Sequence, residues 1–361
     1  MIAPRATLIG VDLTGGVVRL AQGDVRGGRV RVRAWASGVR SPAREPGAIF
    51  TPEDASLVAG LVRRGGFSGD RVGVVLPQPL VLSASLELPP RSSGAPLDQI
   101  ARLELARASR VDASGVHHVM WEVPPPPRAK DGLHAMCLGV VRDRVEPIIE
   151  RLEDEGLECV AMESGGMAMA RAADALALPG VLTCVLDVGW DGLTIVLVLD
   201  RAIVFERVVE STSWRQVCED VGARGGLPPD LVRSLARTTD ASADASPALP
   251  ERVRGAMRGV QTDFGARAAP EVARSLAYAA HRYPGARPGR VLLCGEGWHA
   301  SGLRERLAES LGLPVQELDP ARLWEIDDAG PGRAPIDPAF AIALGVAVRD
   351  VPTRAGARRA A

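Results

Sequence analysis

The sequence predicts an α/β fold of two related lobes, the first carrying an inserted α+β block. Three observations predict it. First, one local design is written twice, about 175 residues apart: an apolar strand, an Asp at its end, a Gly-containing turn and a second apolar strand. The copies are Thr7 to Leu20, with Asp12, Leu13, Thr14, Gly15 and Gly16 at the turn, and Val181 to Val196, with Asp187, Gly189 and Gly192. Second, Arg290 to Cys294 reads as a strand and Gly295-Glu296-Gly297 as a turn; a helix opened by Ser301 and closed by Gly312 follows, then a strand from Val315 to Leu318. Third, residues 78–156 alternate strand, helix, strand, strand and helix as a compact block that interrupts the first lobe.

The elements follow in order. Arg29 to Ala36 alternates as a strand after the first hairpin. Pro52-Glu53-Asp54 opens a helix that Gly65-Gly66 stops, because Pro and acids suit a helix N-terminus and Gly its end. Arg71 to Leu76 is a short buried strand. In the block, Leu80 to Leu88 is a strand, Leu97 to Ser109 a helix, Val116 to Val123 and Leu133 to Val141 strands, and Arg142 to Glu155 a helix with Val145, Ile148, Ile149 and Leu152 inward. Leu157 to Met162 is a strand and Glu163 to Leu176 a helix, whose Met residues read as packing fillers. Ala202 to Val209 is a further strand after the Asp200-Arg201 turn. Residues 213–285 form a helical subdomain, with a polar loop from Thr238 to Pro250 and a helix starting at Pro270. Asp319 to Pro338 is expected as a loop, Ala339 to Val348 as a short apolar helix, and 350–361 as a disordered basic tail. The domains are thus 1–77 with 157–180 and 339–349 returning to it, 78–156 inserted, and 181–338 as the second lobe.

Composition excludes several chemistries. The 361 residues are 46% hydrophobic, enough for real cores, and the net charge of −1 gives no field for nucleic acid or an anionic membrane. Five scattered cysteines form no CxxC pair and read as buried thiols. Lys130 is the only lysine and lies in a Pro-rich loop, so P-loop, protein-kinase and Schiff-base chemistry have no lysine to use. No signal peptide and no apolar run of membrane-spanning length is present, which predicts a cytoplasmic chain without its own membrane insertion.

Glycine lets a backbone approach a phosphate and aim successive N–H groups at it, and an adjacent Asp can hold a hydrated divalent ion. Two hairpins facing each other would clamp a phosphate between the lobes. The bland alternative is an ordinary pair of hairpins.

The strand–turn–helix after Arg290 resembles the adenosine turn of the actin-like ATPase superfamily, and it follows the two hairpins in that superfamily's order. More narrowly, the chain resembles the PilM family of type IV pilus assembly proteins from about residue 5 to residue 349. The resemblance is carried by Arg71 to Pro89 with its Leu-Pro-Gln-Pro turn, Leu97 to Ala108, Arg142 to Ser164 with Gly156-Leu157 and Glu163-Ser164, Leu292 to Pro320, and Phe340 to Ala347. It implies an actin-like (ribonuclease H-like) fold with the inserted subdomain in the first lobe, as in the cell-division protein FtsA. It implies ATP with Mg²⁺ in the interlobe cleft. Asp12 and Asp187 would organise the ion through water, the backbone of Leu13, Thr14, Gly15, Gly16, Gly189 and Gly192 would face phosphates, and Gly295 and Gly297 would face adenine or ribose. Glu163 would orient an attacking water, or else be a helix N-terminal acid favoured by the macrodipole. The partner implied is the cytoplasmic N-terminal tail of a PilN-like membrane protein, held in a groove of the first lobe and insertion, with self-association also open. The chain would then be a cytoplasmic scaffold at the inner membrane with weak or absent ATPase activity. Alternatives on the same fold are a small-molecule kinase or ATPase, and a type II secretion or cell-division adaptor.

Three positions depart from the family pattern and predict a partly degenerate nucleotide site. The first turn has one hydroxyl, Thr14. Trp190 and Asp191 replace small residues in the second turn, and Glu296 interrupts the third; these acids would point to solvent or towards a triphosphate, where a solvated carboxylate costs about 1 kcal/mol and a desolvated one several. His117-His118 are strand neighbours aimed at opposite faces, so they read as ordinary residues, as do His281 and His299. Glu325-Ile326-Asp327-Asp328 lacks calcium-loop spacing and reads as a solvated loop; Arg354, Arg358 and Arg359 without an apolar stripe anchor little.

Overall fold

The computed structural model describes residues 5–26, 29–41, 49–127, 131–238, 251–300, 302–327 and 336–351. Lys130, Ser301, Asp328, most of the polar loop before Pro250 and the basic tail from 352 lie outside them. Two compact units emerge: residues 1–176, 201–204 and 319–361 form the first, 177–200 and 205–318 the second.

In the first unit, β1 (Arg5–Ala6), β2 (Ile9–Asp12), β3 (Val17–Arg26) and β4 (Arg29–Val39) precede α1 (Pro52–Arg64) and β5 (Arg71–Leu76). The block follows as β6 (Leu82–Leu88), α2 (Leu97–Ser109), β7 (Val116–Glu122), β8 (Leu133–Val141) and α3 (Arg142–Asp154), then β9 (Glu158–Ser164) and α4 (Gly165–Ala172). The second unit holds β10 (Val181–Val188), β11 (Leu193–Leu199), β12 (Ala202–Val209) from Phe205 onwards, α5 (Trp214–Gly225), α6 (Pro229–Thr238), α7 (Glu251–Arg282), β13 (Arg287–Cys294), α8 (Leu303–Leu311) and β14 (Val315–Glu317). The chain ends in α9 (Pro320–Leu323), β15 (Glu325–Ile326) and α10 (Ala341–Ala347), counted with the first unit.

The main sheet of the first unit runs β15-β4-β3-β2-β5-β9, with β1 beside β3. Its hairpin β2–β3 is antiparallel, and β5 and β9 add in parallel. The fully buried Ile9, Val11, Val18, Leu20, Val72 and Val74 make one core with α1. Helix α10 is buried throughout and all small or aliphatic, as a helix enclosed on every side must be. Glycine makes that enclosure possible, since a Cβ on Gly10 would lie 1.9 Å from the Ala343 carbonyl oxygen. The block's own sheet, β6-β8-β7, is antiparallel and packs Leu82, Leu86, Leu88 and Cys137 against Ala101 and Leu105 of α2. The sheet of the second unit runs β12-β11-β10-β13-β14, with β10 and β13 parallel.

Several expectations are corrected. Helix α3 was expected in the insertion, yet Val145, Ile148 and Leu152 join the main core with Ile9 and Val11. The part of the block with a core of its own is therefore the layer from β6 to β8. Residues 319–338 were expected in the second lobe as loop; 319 onwards belongs to the first unit, and β15 pairs in parallel with β4. The acids there are not merely solvated, because Asp327 pairs with Arg31, and Glu325 lies 3.7 Å from Arg29. Pro270 does not start a helix; α7 runs through it for 32 residues. Phe264, Ala268, Ala269 and Val272 are buried on both sides of the proline, so packing carries the helix across the lost backbone bond. The five cysteines are free, and burial raises Cys137 and Cys159 to about 11 and Cys184 and Cys218 to about 12.

Candidate functional site

In the first unit, Asp12 ends β2 and is buried. Its Oδ1 accepts from the Thr14 N–H at 2.8 Å and from Thr14 Oγ1 at 2.6 Å, so the lone hydroxyl of the turn fixes the carboxylate. Directly across the hairpin Asp12 faces Arg19 in register, and Arg19 is also buried. Cross-strand partners share a face, so the acid has a cation beside it.

A second arginine shapes the turn itself. Arg40, buried just past β4, donates from Nη1 to the carbonyls of Leu13 at 3.1 Å and Gly15 at 3.2 Å. Its Nε and Nη2 grip Asp54 at 2.9 and 2.6 Å, and Nη2 also reaches the Ile49 carbonyl at 2.6 Å. Asp54 in turn closes the capping box of α1 with Thr51. All peptides here are trans, so aiming the Gly15 carbonyl at Arg40 turns the Gly16 N–H the opposite way. None of these bonds uses the N–H of Gly15 or Gly16, which leaves the turn competent to meet an anion.

Glu163 lies in β9, two residues before α4, and so is not a helix N-terminal acid; Ser164 is the cap. Arg171 holds both its oxygens, Nη1 to Oε1 at 2.6 Å and Nη2 to Oε2 at 2.9 Å, and Nη1 also reaches the Gly345 carbonyl. Arg171 thus ties α4 to β9 through the carboxylate and to α10 through the carbonyl, and both carboxylate oxygens of Glu163 are engaged by the one guanidinium.

In the second unit the parallel pairing of β10 with β13 sets Asp187 beside Cys294, which brings the second and third glycine turns together. The carboxylate of Asp187 packs between them. A Cβ on Gly295 would sit 1.9 Å from its Oδ1, and one on Gly189 would sit 3.1 Å from its Oδ2. Gly295 has φ +86° and Gly297 donates to the Val188 carbonyl at 2.9 Å. Gly189 donates to Gly192 at 3.0 Å across the hairpin turn. Thus Asp187, Gly189, Gly192, Gly295 and Gly297 are gathered in one place.

The departures noted in the sequence take definite positions. Asp191 is exposed, 3.5 Å from Arg215. Glu296 does not point to solvent: it is buried and paired with Arg233 of α6, whose Nη2 donates to Oε2 at 2.8 Å. The guanidinium of Arg233 also lies 3.8 Å over the Trp190 ring. Asp12 in the first unit and Asp187 in the second are each a buried acid beside a glycine turn, the oxygen chemistry that a hydrated Mg²⁺ takes. At the third turn Glu296, Arg233 and Trp190 are thus one another's partners.

Sequence reasoning missed Arg19, Arg40 and Arg233. Arg19 was recoverable from hairpin register alone, once Leu13 to Gly16 is accepted as the turn. Arg40 and Arg233 act across long separations that no local pattern marks. His117 and His118 part as expected, the first to Arg142 and the second 3.2 Å from Asp98, and no metal-holding group of His, Cys, Asp or Glu occurs among the described residues.

No family model and no curated protein matches the chain. Solved structures do. The chain is similar to one of a PilM-PilN type IV pilus biogenesis complex, at 21% identity and TM-score 0.76, over 97% of this chain and all of that one. It is similar to the ethanolamine utilization protein EutJ from Carboxydothermus hydrogenoformans at 15% identity and TM-score 0.55, over 96% of this chain and 90% of that one. With a glycine hairpin, the inserted three-stranded layer, a second glycine hairpin and the strand–turn–helix in that order, the fold is PilM-like, of the actin-like ATPase class.

Proposed function

We propose that the chain is a scaffold: a PilM-like adaptor of a type IV pilus assembly complex that captures the cytoplasmic N-terminal tail of a PilN-like membrane protein. The observation that carries this reading is the likeness, over 97% of this chain and all of the other, to a structure of a PilM-PilN complex. An adaptor also agrees with the chemistry of the first unit, where Glu163 is committed to Arg171. In this reading the membrane link comes from the partner; no helix among the described residues is long and apolar enough to cross a membrane.

The inserted layer supplies a physical means of capture. Strand β7 lies at the edge of its sheet, and Val119 on it is 53% exposed, while Leu103 on α2 is 55% exposed. An extended tail gains affinity from main-chain bonds to an edge strand and from a few apolar anchors. The test is calorimetric titration of the full chain with a peptide of about a dozen residues from the N-terminal tail of a PilN-like protein. Binding in the micromolar range, about −8 kcal/mol, is expected. Absence of binding at high micromolar peptide would overturn the reading.

A further inference from the structure

Each glycine of the third turn has a reason internal to the chain. Gly295 leaves room for the Asp187 carboxylate, and a Cβ on Gly297 would lie 2.6 Å from Val188 and 2.7 Å from the Trp214 ring. Trp214 is itself fully buried, edge-on to Phe264 and His299. The spaces that glycine opens here are therefore filled by Asp187 and Trp214. Between the two glycines stands Glu296, buried and held at both oxygens by Arg233. Above Arg233 lies Trp190, which belongs to the second turn. One guanidinium from α6 thus joins the second and third turns of this unit.

A nucleoside brought to this turn meets a completed set of partners. Its sugar hydroxyls or base amines would have to take Glu296 from Arg233, leaving a buried guanidinium without its counter-ion. Its ring would have to take the Trp190 face from the same guanidinium. The first exchange gives up a charge-assisted contact between two buried groups, the second a cation–π contact at a half-buried ring.

We propose that the Arg233–Glu296 pair beneath Trp190 closes the third turn against a purine nucleotide, so that the second unit keeps its fold without one. The adaptor role then needs no nucleotide, and a degenerate sequence turn becomes a self-filled one. The same pairing predicts how to reopen it. Glycine at 296 removes the buried acid and the partner that anchors Arg233, whereas glutamine removes only the charge and leaves the space occupied.

The experiment is titration of the full chain with Mg-ATP, followed by equilibrium dialysis and by melting temperature. The wild type is expected to show no shift and no binding up to millimolar nucleotide. Glu296→Gly is expected to bind at least about tenfold more tightly than the wild type, and Glu296→Gln to match the wild type. Saturable micromolar binding by the wild type would overturn the proposal. So would a Glu296→Gly chain of native circular dichroism that binds no better than wild type, or a Glu296→Gln chain that gains as much as Glu296→Gly. A parallel arm measures binding of the PilN-like peptide with and without Mg-ATP, and no change is expected. That arm alone rests on the adaptor reading, and a peptide that fails to bind leaves the nucleotide arms to be judged by themselves.

Discussion

Gly345 of α10 lies against the carbonyl of Ala168 in α4 so closely that a Cβ would come 2.0 Å from its oxygen. The two helices touch backbone to backbone, and Arg171 of α4 reinforces the contact by donating to the Gly345 carbonyl. Alanine at 345 must push the helices apart or shift α10 along the sheet, where Gly10 and Gly73 leave no slack. Gly345→Ala is expected to cost roughly 2–4 kcal/mol of unfolding free energy in urea, the range of an overpacked core. Gly285→Ala, where nothing lies within 4 Å of the new Cβ, is the control and should change stability by no more than about 0.5 kcal/mol.

Arg40 is the centre of the first turn. It donates to one carboxylate and three carbonyls, a set that only a forked guanidinium serves. Arg40→Ala leaves Asp54 buried without this partner and is expected to cost about 3–5 kcal/mol. Arg40→Lys should recover little, because an ammonium cannot span Asp54 and the Leu13 and Gly15 carbonyls together. Denaturant melts of the three proteins check this, and a lysine variant as stable as wild type would refute the forked role.

Much of this architecture can be read from local pattern. The bounds of α2, β5 and β8 follow from periodicity and Gly or Pro punctuation, since each is amphipathic or apolar within one short segment. The two hairpins and the third turn are legible for the same reason. What escapes is whatever depends on partners far along the chain. The apolar stripe of α3 is plain, but nothing in it says that it faces Ile9 and Val11 and not the sheet of its own block. The acids at 325 and 327 look like loop residues until Arg29 and Arg31 of β4 are set beside them. Glu296 reads as an exposed interruption because its counter-ion, Arg233, lies 63 positions away on α6. Pro270 reads as a helix start because proline punctuates locally, while the burial that overrides it is tertiary.

Gly295 and Gly312 both sit at positive φ, +86° and +62°, but only one has a neighbour to strike. Gly312→Ala meets nothing within 4 Å, so it should cost only the backbone strain, about 1 kcal/mol. Gly295→Ala adds a clash with Asp187 Oδ1 to the same strain, and is expected to cost at least about 2 kcal/mol more. Melting of the two variants under one condition measures the difference. Equal losses would mean that neither Asp187 nor the Val188 backbone packs against Gly295.

Glu206 provides a pH dependence whose sign is fixed. It lies on β12, an edge strand, and neither of its buried carboxylate oxygens has a hydrogen-bond partner. Burial alone pushes its pKa up from 4.5 to about 7. The folded protein therefore holds a proton that the unfolded chain releases between about pH 4.5 and pH 7. Stability falls as pH rises through that window, and the penalty is complete above it. The shift corresponds to a cost on the order of 3 kcal/mol at pH 8, as an upper bound. Glu206→Gln keeps the shape without the charge, so it should unfold at higher denaturant than wild type at pH 8 and at nearly the same denaturant at pH 4.5. Urea melts of both proteins across pH 4.5 to 8 give the comparison, and curves that run parallel over that range would show that this carboxyl titrates in water.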